Sequence, residues 1–239
     1  DERQFLDNYI VTKQEGLDNQ DPYNEESYKK FNQNDYAPTL MHNEALNFIE
    51  ENKNHPFFLY YASPLPHLPL QAPKKWVTYY NKKFGKEEPY TGRSYYPNRT
   101  PKATYAAMIS YLDEQVGDLI NKLKEIGKYE NTLIIFTSDN GPTYLNQVDS
   151  NFFNSTGIFV NSRNTMKGSV NEGGLRVPMI ASWPSKIKEG SSTNHISVFY
   201  DFFQTACDVA QIENKFKTDG VSYYPTLIGK KQIKHKYLY

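Results

Sequence analysis

Two polar segments of this chain carry residue types suited to holding ions, and the first offers oxygen ligands. Asp139 and Asn140 lie in the sequence Thr-Ser-Asp-Asn-Gly, directly after the apolar run 133–136. Carboxylate and amide oxygens are hard ligands, so calcium is the expected ion and magnesium the less favoured one. Neighbouring residues of a strand point to opposite faces. Both side chains can therefore reach one ion only if the strand ends and bends here, as Gly141 and Pro142 would allow.

The second polar segment is cationic and rich in glycine. Residues 167–178 read Lys-Gly-Ser-Val-Asn-Glu-Gly-Gly-Leu-Arg-Val-Pro. An ammonium group is a compact positive charge, and on a loop of this kind it can approach an oxyanion closely. The paired glycines permit positive φ angles, and Glu172 and Arg176 are expected to pair locally. The segment therefore predicts an anion site at Lys167.

A third polar cluster contains His67, in the sequence Pro-His-Leu-Pro-Leu after the apolar run 57–62. Three polar clusters thus follow three candidate strands. Open α/β proteins build their active sites at such positions, where strands end and loops begin. The arrangement predicts one crevice that handles both a metal and an oxyanion.

In their order along the chain, the His67, Asp139 and Lys167 segments resemble the C-terminal portion of the catalytic domain of a type I sulfatase, an arylsulfatase-like member of the alkaline phosphatase superfamily. The resemblance covers roughly residues 36–239 and rests on the pairing of the Asp139 segment with the Lys167 segment. It implies an α/β fold, part of an alkaline-phosphatase-like sandwich with a mostly parallel central sheet and helices on both faces. The N-terminal strands and most of the C-terminal subdomain would be absent. The implied division is a polar lead-in at 1–35, the catalytic portion at 36–230 and the start of a truncated C-terminal subdomain at 231–239.

The resemblance also implies a function and a role for each candidate residue. The function is a sulfuric ester hydrolase that acts on an aryl or carbohydrate sulfate. Asp139 and Asn140 would hold calcium, Lys167 would contact the sulfate, and His67 would contact the substrate and protonate the departing oxygen. Such an enzyme would be periplasmic, secreted or lysosomal.

The family's nucleophile is missing from this sequence. It is a formylglycine made from Cys or Ser in a motif C/S-x-P-S-R, preceded by paired metal-binding aspartates, and neither feature occurs here. The chain is therefore expected to be a fragment that is inactive alone, with the formylglycine in a missing N-terminal segment.

Two other functions remain open at this point. A phosphodiesterase or phosphonate hydrolase of the same superfamily would share the fold, but such enzymes more often have Asp-His in place of Asp139-Asn140. A non-catalytic calcium- or carbohydrate-binding protein without the nucleophile also fits. Sugar rings stack on exposed aromatic side chains, so an aromatic group could line a carbohydrate subsite, although packing of an insertion is the more ordinary explanation. The group is Trp76, Tyr79, Tyr80, Tyr90, Tyr95 and Tyr96.

Composition limits the class of partner. The chain has 239 residues, enough to bury a core, and its 27 basic and 27 acidic residues give no net charge. That balance gives no sign of the broad basic surface that nucleic-acid binding needs. No apolar stretch approaches the roughly eighteen residues of a membrane span. The expected partner is a small-molecule or carbohydrate sulfate ester, and the sequence does not indicate an oligomeric state.

Hydrophobic spacing predicts an alternation of helices and strands. Helices are predicted at 39–52, 102–126 and 197–212, the second of them stopped by Gly127. Strands are predicted at 57–62, 133–137 and 177–182, the last two buried and parallel because their apolar runs do not alternate. An irregular Tyr-rich insertion is predicted at 74–100 and a loop at 146–164. The remaining histidines, His42, His55, His195 and His235, are assigned surface or capping roles.

Overall fold

The computed structural model describes residues 8, 11 and 15–238. The rest of the predicted lead-in, and Tyr239, lie outside the described residues. The helices are α1 (Ala37–Glu51), α2 (Lys74–Phe84), α3 (Pro101–Glu125), α4 (Glu172–Leu175), α5 (Asp201–Ala210) and α6 (Tyr224–Leu227). The strands are β1 (Ile134–Thr137) and β2 (Met179–Ser182), and short 3-10 helices occupy Glu25–Phe31, Tyr129–Asn131 and Arg163–Thr165. No helix in the described part of the chain is long and apolar enough to cross a lipid bilayer.

The chain forms two compact units. The first combines Asp1–Ile126 with Ser138–Val177, and the second combines Gly127–Thr137 with Pro178–Tyr239. His67, Asp139, Asn140 and Lys167 all belong to the first unit. The candidate site can therefore be described within one unit.

Helices α1 and α3 confirm two of the predicted helices. Each has a proline in its first turn, where the missing N–H is no loss. Helix α3 ends as predicted, with Gly127 at φ 68° just beyond its C-cap. The two helices contact each other through the buried Gln115, whose side-chain amide donates to the backbone oxygen of Pro38 at 2.9 Å.

His42 on α1 was assigned a surface or capping role, and that assignment is wrong. Its side chain is buried, and its Nε2 lies 3.1 Å from the carboxylate of Asp118 on α3. A histidine on an amphipathic helix can be buried when a carboxylate on the facing helix forms a hydrogen bond with its ring. The sequence of α1 alone could not reveal that partner.

Helix α2 corrects the prediction of an irregular segment from residue 74 onward. Pro73 precedes it, and Gly85 ends it with a φ of 75°. Its inner side packs on α3, where the Tyr80 hydroxyl lies 2.8 Å from the hydroxyl of Ser110. No residue of α2 is fully buried. Its weak apolar content, next to several prolines, hid the helical period in the sequence.

The two strands correct the predicted strand direction. β1 and β2 pair antiparallel, with Ile134 opposite Ser182 and Thr137 opposite Met179. Their residues are also half-buried or exposed rather than buried. A short apolar run predicts a strand, but neither the direction of its partner nor the cover over its faces is encoded in that run.

The third predicted strand is absent from the described structure. Residues 57–62 are assigned no strand, and Phe58 and Tyr60 are 66% and 80% exposed. The prediction relied on aromatic residues, which favour strands only when another strand pairs with them.

The main core of the first unit joins three segments of the chain. Leu65, Leu68 and Leu70 come from the loop around His67, Met108 and Tyr111 from α3, and Val148 from the loop after Pro142. A second cluster holds part of the lead-in, with Leu17, Tyr28 and Phe31 packed against Tyr96. The segment predicted as a polar lead-in therefore contributes buried apolar residues.

The second unit is organised around a buried carboxylate on α5, which is shorter than the predicted helix at 197–212. Asp201 is fully buried, and its side chain accepts hydrogen bonds from the backbone N–H groups of Val198 and Val221 at 2.9 and 2.8 Å. It also accepts from Nε2 of His235 at 2.7 Å. The hydroxyl of Thr205 donates to the backbone oxygen of Asp201 and accepts from the N–H of Tyr223. We call Asp201, Thr205, Tyr223 and His235 the Asp201 network.

Candidate functional site

Two of the predicted site segments are joined directly by backbone hydrogen bonds. The N–H of Gly141 donates to the oxygen of Gly174 at 2.9 Å, and the N–H of Lys167 donates to the oxygen of Pro142 at 2.9 Å. We call residues 138–142 and 167–174 the loop pair. These two bonds place the Asp139 segment beside the Lys167 segment, as the sequence predicts for a shared site.

Three glycines of the loop pair, Gly141, Gly173 and Gly174, are required by close approach of backbones and not by positive φ. A side chain at Gly141 would overlap the carbonyl oxygen of Gly173, and one at Gly173 would overlap that of Thr165. At Gly174 the added carbon would lie 2.6 Å from the oxygen of Met166. Gly173 and Gly174 do not use the positive φ that glycine permits; within the segment it is Gly168 that does so, at 85°.

Asp139 and Asn140 present free oxygens of the kind calcium prefers. Asp139 is exposed, and no ion pair engages its carboxylate in the described part of the chain. The side-chain N–H of Asn140 donates to the oxygen of Gly141 at 3.0 Å, so the amide oxygen faces away from that bond. The hydroxyl of Ser138 donates to the backbone oxygen of Asn140 at 3.0 Å and tightens the same bend. A carboxylate and an oriented amide oxygen fit a hard divalent cation.

Lys167 is held by its neighbours, while its ammonium group forms no ion pair with the residues that the structure describes. Met166, which precedes it, is 1% exposed and anchors the loop. Glu172, the nearest acidic residue along the chain, pairs instead with Arg176 at 2.8 Å, which confirms the predicted local pair. No described carboxylate therefore neutralises the half-buried Lys167, and its charge remains available to an anion.

His67 is exposed, with its ring oriented by one hydrogen bond. Nδ1 lies 2.8 Å from the backbone oxygen of Leu68. A carbonyl oxygen can only accept, so Nδ1 carries the hydrogen in that contact. Nε2 is then the ring atom that can take up or release a proton toward a ligand. The ring also meets the edge of Tyr95, with centroids 6.2 Å apart.

The structure thus joins two of the three predicted clusters directly, through the backbone bonds of the loop pair. The loop around His67 shares a hydrophobic core with Val148, which follows residues 138–142 of the loop pair in the chain, and a single crevice that includes His67 stays a prediction. In the described part of the chain no group of three or more His, Cys, Asp or Glu side chains converges on a point where a metal could sit. Asp139 and Asn140 would accordingly provide only part of a coordination shell.

Sequence reasoning missed a second cation next to the loop pair. The guanidinium of Arg163 lies over the ring of Tyr144, 5.1 Å from its centroid. Arg163 precedes Lys167 on the same loop, and Tyr144 follows Pro142 on the other. The only signal in the sequence is an arginine close to a glycine-rich anion loop, which by itself is common.

Comparison with known proteins identifies the family of this fold and site. The sulfatase family profile matches residues 4–212, which is most of the chain. The uncharacterized sulfatase YdeN of Escherichia coli K12 is 33% identical over 201 residues, covering 82% of this chain and 32% of that protein. The human N-acetylgalactosamine-6-sulfatase is 28% identical over 188 residues, covering 77% of this chain and 31% of that protein. The chain spans about a third of the length of the curated relatives it matches.

Solved structures agree with the sequence relatives. The crystal structure of Ps i-CgsB in complex with k-i-k-neocarrahexaose superimposes with a TM-score of 0.64 and 30% identity, covering 84% of this chain and 40% of that one. The predicted alkaline-phosphatase-like α/β class is thereby confirmed, although the described strands form only a small antiparallel pair.

Proposed function

Because the chain belongs to the sulfatase family, we propose that the protein carrying it hydrolyses sulfate esters of carbohydrates. The observation that carries the proposal is the loop pair, in which backbone bonds bring the segment of Lys167 beside the segment of Asp139 and Asn140, and no described residue forms an ion pair with Lys167 or Asp139. An anionic ester needs positive charge from the protein and from a cation at the same place. A carbohydrate is favoured as substrate because a relative is an N-acetylgalactosamine-6-sulfatase and a structural neighbour is in complex with a neocarrahexaose.

Each candidate residue of this chain would have a distinct role in the reaction. Lys167 would hold the sulfate group and balance its charge as the ester bond breaks. His67 would release a proton from Nε2 to the departing sugar oxygen, while its Nδ1–H stays on the Leu68 carbonyl. Asp139 and Asn140 would hold a calcium ion, whose charge would stabilise the sulfate oxygens when it is bound. The nucleophile, a formylglycine, would come from outside residues 1–239, and the protein would be periplasmic, secreted or lysosomal.

The test measures sulfate release from a sulfated galactan oligosaccharide by the intact protein. Lys167→Ala is expected to lower kcat by roughly a hundredfold, the usual loss when one charge-stabilising group is removed from a transition state. Lys230→Ala is the matched control, because Lys230 is an exposed lysine of the second unit. An unchanged kcat in Lys167→Ala would remove Lys167 from the site.

The same assay separates the competing functions. Faster hydrolysis of a phosphate diester than of any sulfate ester would favour the phosphodiesterase alternative. Calcium-dependent sugar binding with no hydrolysis of either ester would favour a binding protein. Mass spectrometry of the intact protein, searching for formylglycine in a C/S-x-P-S-R segment, provides independent evidence on the nucleophile.

A further inference from the structure

Helix α2 presents a basic outer face with an aromatic ring at its centre. Five lysines and no acidic residue occur between positions 74 and 86, in a chain whose basic and acidic residues balance overall. Within the helix, Lys75, Tyr79, Lys82 and Lys83 are spaced so that they share one side, about 100° wide at 100° per residue. All four are exposed. A solvated helix face usually mixes acidic and basic side chains, whereas this face carries only lysines around an aromatic ring.

The inner side of α2 is fixed, so the outer face is held rigidly. The indole N–H of Trp76 donates to Glu114 of α3 at 2.6 Å, and Tyr80 contacts Ser110. Phe84 packs against Phe152, with ring centroids 5.2 Å apart. A helix anchored in this way presents its outer residues without further loss of backbone entropy when a ligand binds.

The groups on the outer face differ in how strongly their neighbours engage them. Tyr79 is 52% exposed, and the edge-on contacts to Trp76 and Tyr80 fix its ring. Lys75 pairs with Glu114 at 2.5 Å, which reduces its availability. Lys82 has no recorded partner in the described part of the chain, and Lys83 lies over the ring of Tyr80 at 5.9 Å. The available charge is therefore concentrated at Lys82 and Lys83, beside the Tyr79 ring.

We propose that this outer face of α2 binds the sulfated carbohydrate chain at a position separate from the loop pair. The inference rests on the proposed function, because it assigns a second contact to the same substrate class. Sugar rings stack on exposed aromatic faces, and their sulfates pair with ammonium groups. The helix rises about 10 Å from Lys75 to Lys82. That length exceeds a single sugar ring, so the face suits a polymer rather than a monosaccharide.

The chemistry of this face favours a sulfated glycan over other polyanions. A nucleic acid or an acidic membrane would interact with the lysines but would not need the aromatic ring. The chain as a whole has no net positive charge that would attract either of them. An exposed ring flanked by cations combines the stacking contact and the charge contact that a sulfated sugar offers. Screening by salt should weaken the charge contacts more than the ring contact.

The experiment measures binding of a sulfated galactan oligosaccharide, and of the same oligosaccharide after chemical desulfation, to the intact protein by titration calorimetry. Lys82→Gln/Lys83→Gln is expected to weaken binding of the sulfated form by roughly fivefold at low salt, with a smaller effect at high salt. Tyr79→Ala is expected to weaken both forms by roughly threefold to tenfold, because ring stacking does not depend on sulfate. The matched control is Lys230→Gln/Lys231→Gln, an adjacent pair of exposed lysines in the second unit.

Three outcomes would overturn the inference. They are unchanged affinity in both α2 variants, an equal loss in the control, and displacement of the oligosaccharide by double-stranded DNA at the same charge concentration. Circular dichroism of each variant verifies that α2 still forms.

Turnover separates this inference from the proposed function. A monomeric aryl sulfate should be hydrolysed equally by the wild type and the α2 variants, whereas KM for the oligosaccharide should rise. If no sulfate ester is hydrolysed but binding still depends on α2, the proposed function fails and the binding face stands. If the oligosaccharide is hydrolysed with unchanged KM in the variants, the binding face fails and the proposed function stands.

Discussion

The loop pair and the Asp201 network both contain aspartate and a nearby basic residue, yet the two regions differ in how those groups are satisfied. In the Asp201 network the carboxylate is fully buried and accepts three hydrogen bonds, one of them from His235. In the loop pair, Asp139 is exposed and Lys167 has no described carboxylate as a partner. Buried polar groups need internal partners, whereas exposed groups without them are available to a ligand. The comparison teaches that the Asp201 network holds the fold together, whereas the charged groups of the loop pair are available to a ligand.

The largest effect is expected where the Asp201 network loses its acceptor. Asp201→Ala would leave two backbone N–H groups and His235 without a partner in a buried place. We expect the free energy of unfolding to fall by about 3 kcal/mol or more, as when one member of a buried charge pair is removed. Urea denaturation measures this loss. Asp208→Ala, at an exposed position on the same helix, should change stability by less than about 0.5 kcal/mol, and similar losses in both variants would break the comparison.

A smaller loss is expected from Gly141→Ala in the loop pair. The new methyl group would meet the backbone of Gly173, which cannot rotate away as a side chain could. Overpacking of this kind costs about 1 to 3 kcal/mol. The control is Gly117→Ala in α3, where nothing lies within 4 Å of the added carbon and the helix should gain up to about 1 kcal/mol. Thermal melting of both variants tests the expectation, and equal melting temperatures would contradict it.

Asp139→Asn tests whether exposed Asp139 contributes to calcium binding and not to stability, in contrast to buried Asp201. Since Asp139 is exposed and forms no ion pair with any described residue, the substitution should change stability without calcium by less than about 0.5 kcal/mol. The rise in melting temperature on adding calcium should shrink, because a ligand that binds the folded state stabilises it according to its affinity. A full calcium response in the variant would show that Asp139 is not a ligand.

The smallest effect expected is a dependence of stability on pH, which arises from His195 in the second unit. Burial lowers the pKa of His195, an effect opposed by Asp201 and reinforced by Lys234 and His235. Its Nε2 is also buried without a partner among the described residues. The unfolded chain therefore binds a proton more readily near the ordinary histidine pKa of about 6.5, so the associated stability is present above that pH and is lost as the pH falls below it.

Urea midpoints measured from pH 7.5 to 5.5 test this prediction. His195→Gln should make the midpoint less dependent on pH in that window. A midpoint that stays constant in the unsubstituted protein, or that rises as the pH falls, would contradict the assigned sign.

Much of the fold could be predicted from sequence wherever the signal was local. Helices α1 and α3 follow from apolar spacing, prolines in their first turns and a stop at Gly127. The Glu172–Arg176 pair follows from i, i+4 spacing on a short helix. The predicted strands at 133–137 and 177–182 were found in place, but their direction and burial depend on partners that no local pattern specifies.

Sequence reasoning failed where the deciding contact was distant along the chain. His42 and His235 were assigned surface or capping roles, because nothing near them indicates Asp118 or Asp201 as a partner. Asp201 itself looks like an ordinary residue of the first turn of a helix. Its burial arises only when the segments near Val221 and His235 fold back on it.

By itself, the sequence determined the family and the residue types of the site, since an Asp-Asn-Gly bend and a lysine-glycine loop in this order are a chemical pattern readable without coordinates. The tertiary structure decided how those residues are used. It showed that the glycines serve the close approach of two backbones, that α2 carries a basic face and that the second unit depends on one buried carboxylate. The physical reason is that local propensity acts over a few residues, whereas burial and hydrogen-bond satisfaction are set by segments that meet only after the chain has folded.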